Sequence, residues 1–242
     1  MVTLRAVWRL LRVVLHIVHG MLVAALRFPH LDAAGRAERV RWWSAKLLRV
    51  MGLRLVAEGL PRPHACLIVS NHISWLDIMS INAVQPARFV SKSEVADWPL
   101  VGWLVTAAGT LYIERARRRD AVRVVHDMAE ALKQGDVVAV FPEGTTGEGA
   151  VVMPFHANLL QAAIATRTPV QPVALRYSDA RYAVSPSAAW VGSTSLLTSL
   201  WWIATAPGLT VTVRFLPPMG TEHADRRALS AHVRSQIERA LG

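Results

Sequence analysis

The chain has 242 residues, 52% of them hydrophobic and only 18% charged, with a formal net charge of +10 carried almost wholly by arginine. That length fits one large domain or a domain with an appended segment. A mean hydropathy of +0.29 is greasy for a soluble enzyme, yet the repeated long spans of a polytopic membrane protein are missing. Cys66 is the single cysteine, which excludes an intrachain disulfide framework. No metal-ligand spacing, RNA-binding motif or repeat supports a nucleic-acid partner. The first sixty residues hold ten basic and three acidic side chains beside tryptophan and leucine runs. Such a mixture suits an anionic membrane surface.

Residues 1–27 carry Arg5, Arg9 and Arg12 and then an apolar run from Val13 to Leu26, interrupted by His16, His19 and Gly20. The run is about 21 Å long as a helix, shorter than the roughly 30 Å hydrocarbon core of a bilayer. An amphipathic or re-entrant anchor on the cytoplasmic face of the inner membrane is expected, with a single span as the alternative. Phe28-Pro29 breaks this element, and a second helix runs from about Asp32 to Met51 with Trp42-Trp43 among basic residues. Residues 1–51 are therefore read as membrane-associating helices and 52–242 as the main domain.

From Gly52 short apolar strands alternate with helical patterns. Strands are expected at 53–58, 65–70, 88–91, 110–114, 137–141, 170–176 and 210–215. Helices are expected near 75–84, 98–108, 119–133, 155–166 and 225–240. This alternation predicts an α/β domain with a largely parallel or mixed sheet flanked by helices, whose site lies beyond the carboxyl ends of the strands.

The stretch Asn71-His72-Ile73-Ser74-Trp75-Leu76-Asp77 follows one such strand. Ser74 is placed as a helix N-cap with Asp77 at the capping-box position. From the first helical turn the Asp77 carboxylate reaches back to the His72 imidazole, a general-base pair. Lys92 and Arg115 each follow a strand as well, and Arg117, Arg118 and Arg119 form a solvated charge run before a helix. The strand at 137–141 opens into Pro142-Glu143-Gly144-Thr145-Thr146-Gly147-Glu148-Gly149, a loop whose backbone N–H groups suit a phosphate or an oxyanion. Residues 183–213 carry no charge and include Trp190, Trp201 and Trp202. They are read as a lipid-facing flap or an acyl-chain lining.

In this order the blocks resemble the PlsC-like glycerolipid acyltransferases, the 1-acylglycerol-3-phosphate acyltransferase family. The resemblance rests on His72-x-x-x-x-Asp77, Ser91-Lys92-Ser93-Glu94 with Trp98-Pro99-Leu100-Val101-Gly102, Gly109–Arg115, and Phe141-Pro142-Glu143-Gly144-Thr145. Pro154-Phe155 and Val170-Gln171-Pro172-Val173 complete it. It implies transfer of a fatty acyl group from a coenzyme A or acyl-carrier-protein thioester to a lysolipid hydroxyl, with no cofactor and no metal. By analogy His72 is the general base and Asp77 its orienting partner. Asn71, Lys92 and Arg115 fall on substrate-contact positions, the last two toward an anionic head. Glu143 orders the loop or the head group, and the N–H groups near Gly144 and Thr145 hold the oxyanion.

Thr146 stands where many phosphatidate-forming members carry arginine. A threonine offers one neutral donor in place of a bidentate cation, and loops of this kind resemble lyso-ornithine-lipid acyltransferases. Both lysophosphatidic acid and lyso-ornithine lipid are kept as acceptors at this stage. A non-catalytic membrane-binding module and an acyl-thioester hydrolase are the alternatives from other classes.

Overall fold

The computed structural model describes residues 2–113 and 118–242. Arg115 and Arg117 lie outside the described residues, as do the side chains of Arg118 and Arg119.

Helix α1 (Val2–Leu26) takes in the arginine-bearing flank as well as the apolar run, so it is 25 residues or about 37 Å long. Helix α2 (Ala33–Met51) starts where the Asp32 carboxylate accepts from Gly35 N at 2.8 Å and stops at Gly52, whose φ is +87°. A small-residue stripe on α1 (Ala6, Gly20, Ala24) faces inward. At Gly20 a Cβ would lie 2.4 Å from the Trp43 indole nitrogen, so glycine is what lets α1 and α2 touch. The hairpin is pinned there by a reciprocal pair: Trp43 Nε1 donates to His16 O at 3.1 Å and His16 Nε2 donates to Trp43 O at 2.9 Å.

Seven strands form one sheet: β1 (Arg54–Glu58), β2 (Cys66–Ser70), β3 (Arg88–Lys92), β4 (Leu111–Ile113), β5 (Val137–Val140), β6 (Val170–Ser178) and β7 (Thr210–Phe215), in the order β1-β7-β6-β2-β5-β3-β4. Every pairing is parallel except β6 with β7. The sheet is therefore mixed, with β1 and β7 running against the other five. All seven expected strands form, within one or two residues of their expected ends.

Alternation along β2 divides the core. Cys66 and Ile68 pack on one face with Leu48, Met51, Ile203 and Val213. Leu67 and Val69 pack on the other with Met128, Leu132, Val233 and Ile237. Helices α1, α2, α3 (Leu76–Asn82) and α7 (Leu196–Thr205) thus cover the first face. Helices α5 (Arg118–Lys133), α6 (Gln161–Thr166) and α8 (Arg226–Leu241) cover the second, and α4 (Val101–Ala107) sits at the β3–β4 edge. Val13, Leu47 and Leu48 share one core cluster with the sheet, so the N-terminal hairpin is packed into the domain. Helix α7 has no counterpart among the expected helices, because the serines, threonines, glycines and prolines around it mask its short apolar run.

Candidate active site

Strand β2 is buried at all five positions and lies between β5 and β6, all three parallel. Its carboxyl end delivers Asn71 and His72 beside the loop that leaves β5. Asn71 donates from Nδ2 to Leu175 O at 3.0 Å and accepts from Leu175 N at 2.8 Å through Oδ1. The side chain extends the β2–β6 ladder by one rung, which turns the chain at the strand end. Asn71 was expected among the substrate contacts, but its amide is spent on β6 and its role is to aim the next residue.

That next residue is His72. Its Nδ1 lies 2.7 Å from Asp77 Oδ2, and the same oxygen accepts from Ile73 N at 2.6 Å and Ser74 N at 2.9 Å. The other carboxylate oxygen accepts from the Tyr177 hydroxyl at 2.8 Å. Asp77 is completely buried, and four donors converge on its two oxygens. The hydrogen between the rings of contacts therefore sits on His72 Nδ1, leaving the Nε2 lone pair for chemistry. The imidazole stacks on Phe141, with ring centres 4.0 Å apart and planes 8° apart, which fixes its tilt.

The helix start departs from the expected capping box. Helix α3 begins with Trp75 as the flanking residue and no side-chain cap, and the buried Ser74 hydroxyl has no partner among the described residues. Asp77 reaches back to the N–H groups of residues 73 and 74, so one half of the box forms without the other. The donor that Ser74 Oγ would cap, Asp77 N, is taken instead by the Ser74 carbonyl at 3.1 Å.

Glu143 holds the same loop from the β5 side. One oxygen accepts from His72 N at 2.8 Å and the other from Met153 N at 3.1 Å. Burial pushes its carboxyl above the ordinary glutamate range, and the two amide donors pull partly against that rise. Gly147 N donates to His72 O at 2.8 Å and Trp190 N to Ile73 O at 3.0 Å. The backbone groups around His72 are thus tied to two separate segments, the loop after β5 and the stretch around Trp190.

Gly144 sits at φ +73°, and its N–H is turned onto Phe141 O at 3.1 Å. It closes the turn instead of pointing its hydrogen at the cavity, as the oxyanion reading expected. The Thr146 hydroxyl donates to Trp190 O, so it ties the loop to the 183–213 segment. Lys92 ends β3 with its side chain exposed, at the edge of the cavity described next.

His72, Phe141, Thr145, Thr146, Lys92 and Trp190 line a cavity of about 640 Å³ that runs between the N-terminal hairpin and the domain. Most of its remaining wall is apolar: Val13, Ile17 and Val23 of α1, Val40 and Leu47 of α2, Ile78 and Met79 of α3, Leu104 of α4 and Leu200 of α7. A base lining a largely apolar cavity is an arrangement for a molecule with a reactive head and a hydrocarbon tail.

The family model described as Acyltransferase matches residues 54–176, which contain His72, Asp77, Glu143 and Thr146. The chain belongs to the acyltransferase family. The protein is an enzyme that transfers acyl groups, as its relatives do. It is 34% identical over 217 residues to the lyso-ornithine lipid O-acyltransferase of Pseudomonas aeruginosa, covering 89% of this chain and 83% of that one. It is 37% identical over 190 residues to the 1-acyl-sn-glycerol-3-phosphate acyltransferase of Neisseria gonorrhoeae, covering 77% and 73%. The fold of the acyltransferase is similar to that of the 1-acyl-sn-glycerophosphate acyltransferase PlsC from Thermotoga maritima, with a TM-score of 0.66 over 96% of each chain at 22% identity.

Sequence reasoning missed Tyr177, Phe141 as a ring support, and the Trp190 brace. Tyr177 had one readable signal: a tyrosine near the carboxyl end of a largely buried strand needs a partner for its hydroxyl. The Trp190 link had none, since forty-four residues separate it from Thr146.

Proposed function

We propose that the acyltransferase moves a fatty acyl group from an acyl thioester, carried by coenzyme A or acyl carrier protein, to the hydroxyl of lyso-ornithine lipid at the cytoplasmic face of the inner membrane. The observation that carries the chemistry is the His72 ring, held through Nδ1 by the buried Asp77 with Nε2 left for the cavity side. The acceptor oxygen attacks the thioester carbonyl while Nε2 takes its proton. Asp77 steadies the imidazolium that forms. Collapse of the tetrahedral intermediate breaks the carbon–sulfur bond, and the proton passes from His72 to the departing thiolate. Balance needs no acyl-enzyme and no further reagent. The amide of Thr145, next along the loop from the closed Gly144 turn, is assigned to the oxyanion. The acyl chain lies in the apolar part of the cavity, and Lys92 faces the acidic group of the acceptor.

Thr146 supports the choice of acceptor. Its hydroxyl is committed to Trp190 O, so that position brings neither a cation nor a free donor to a phosphate. Lyso-ornithine lipid O-acyltransferases of Pseudomonas aeruginosa, Brucella abortus and Rhizobium meliloti, at 31% to 35% identity, agree with this reading. The basic, apolar α1 fits a helix lying in an anionic interface. The test is to offer purified enzyme acyl thioester with lyso-ornithine lipid and with lysophosphatidate. Preference for the former and its loss in His72→Ala are expected; full transfer by His72→Ala would overturn the assignment of the base.

A further inference from the structure

Helix α7 has two unlike faces. Inward, Leu196 and Leu200 wall the cavity, Ile203 and Ala204 are buried, and the buried Ser199 hydroxyl accepts from Trp75 Nε1 at 3.1 Å. Outward, Leu197 is 80% exposed, Trp201 39% and Trp202 42%. The hydroxyls near that side are satisfied within the helix: Thr205 donates to the carbonyls of Trp201 and Trp202, and Thr198 pairs with Ser195. From 183 to 213 the chain has no charged side chain, so nothing on this face resists contact with hydrocarbon.

The face also has a neighbour of the same kind. Helix α7 packs on α1, where Arg9 Nη1 donates to Ala204 O at 2.8 Å near the negative end of the helix. Helix α1 exposes Leu4, Trp8, Leu11, Leu15, Val18 and Leu22 in steps of three and four, one apolar stripe. A patch built from two adjoining helices and edged with tryptophan has the composition of a membrane-interface surface.

We propose that α7 is a second membrane-docking element, with Leu197, Trp201 and Trp202 seated in the same lipid leaflet that α1 contacts. The helix that meets the bilayer then also forms one wall of the cavity, which places that wall at the lipid boundary. The occupant is lipid because the outer face is apolar, carries no charge and belongs to a helix packed directly on α1. The inference stands whether or not His72 is the base, since it is tested without turnover.

Leu197→Cys carries a nitrobenzoxadiazole probe. Cys66 is buried with its thiol pushed up to about 11, so labelling at neutral pH takes the introduced thiol. Leu60→Cys is the reference: Leu60 is 86% exposed and follows β1, which runs against β2, so it lies at the opposite end of the sheet from His72. On protein floated with phosphatidylethanolamine–phosphatidylglycerol vesicles, the probe at 197 should shift to the blue and be quenched by doxyl-labelled lipid, and the probe at 60 should do neither. Emission at 197 that stays water-like on vesicle-bound protein overturns the proposal. So does a blue emission already present without vesicles and indifferent to doxyl lipid, which would mark contact with a second copy of the chain. Thr198→Cys on the same face carries the same test if Leu197→Cys does not fold.

Discussion

Tyr177 donates its phenol hydrogen to Asp77 Oδ1 at 2.8 Å across one hundred residues of chain, and both side chains are buried. Burial first, and then the neighbouring Asp77 charge, hold the phenol well above its ordinary pKa, so it remains a donor throughout any assay range. The carboxylate that orients His72 is therefore itself oriented from β6.

Tyr177→Phe removes one of the four donors and leaves Oδ1 buried without one. Stability should fall by about 1–3 kcal/mol, read as a lower urea midpoint. A carboxylate held by three donors instead of four also fixes the His72 ring less firmly, so acyl transfer under single turnover should slow as well. A lower midpoint with an unchanged transfer rate would make Tyr177 a packing residue only.

Asp77→Asn sets an amide against four donors that all require an acceptor. Transfer should drop by about a thousandfold or more, measured under single turnover with saturating thioester, together with a lower melting temperature.

Ser74→Ala separates two readings of the helix start. Loss of a working N-cap costs about 0.5–2 kcal/mol, whereas removal of a buried hydroxyl with no partner is neutral or stabilising. The structure predicts the second outcome, checked by equilibrium unfolding.

Glu143 gives a pH-dependent test of stability. Its carboxyl is raised in the folded state, so the folded chain binds that proton more tightly than the unfolded one. The contribution of Glu143 to stability is then greatest below the ordinary glutamate range and declines as pH rises through the folded value. Glu143→Gln cannot titrate and satisfies one of the two amides. The stability gap between wild type and variant should narrow as pH increases across that window; a widening gap would reverse the sign of the shift.

Thr146→Arg brings a cation to the cavity wall and releases Trp190 O. The ratio of kcat/KM for lysophosphatidate to that for lyso-ornithine lipid should rise by about tenfold to a hundredfold, the worth of a charged hydrogen bond. An unchanged ratio would separate Thr146 from acceptor choice.

The sequence by itself determined the seven strands, because their short apolar runs alternate along the chain with longer helical patterns, as a sheet flanked by helices requires. It also determined the pairing of His72 with Asp77, since five residues across a strand-to-helix turn bring them within reach locally. Family membership followed from ordered blocks along the chain. What only the tertiary structure decided is everything that depends on contact between distant segments. Tyr177 reaches Asp77 because β6 lies next to β2, Asn71 is spent on Leu175 for the same reason, and the Asp77 N–H that Ser74 Oγ was expected to cap goes to the Ser74 carbonyl. Gly144 closes its own turn, Thr146 is claimed by Trp190, and the apolar slot exists because the hairpin of α1 and α2 packs over the sheet together with α7. Hydrogen-bond donors and acceptors are shared among all groups that come within reach, and the winners of that competition are settled only once the chain has folded.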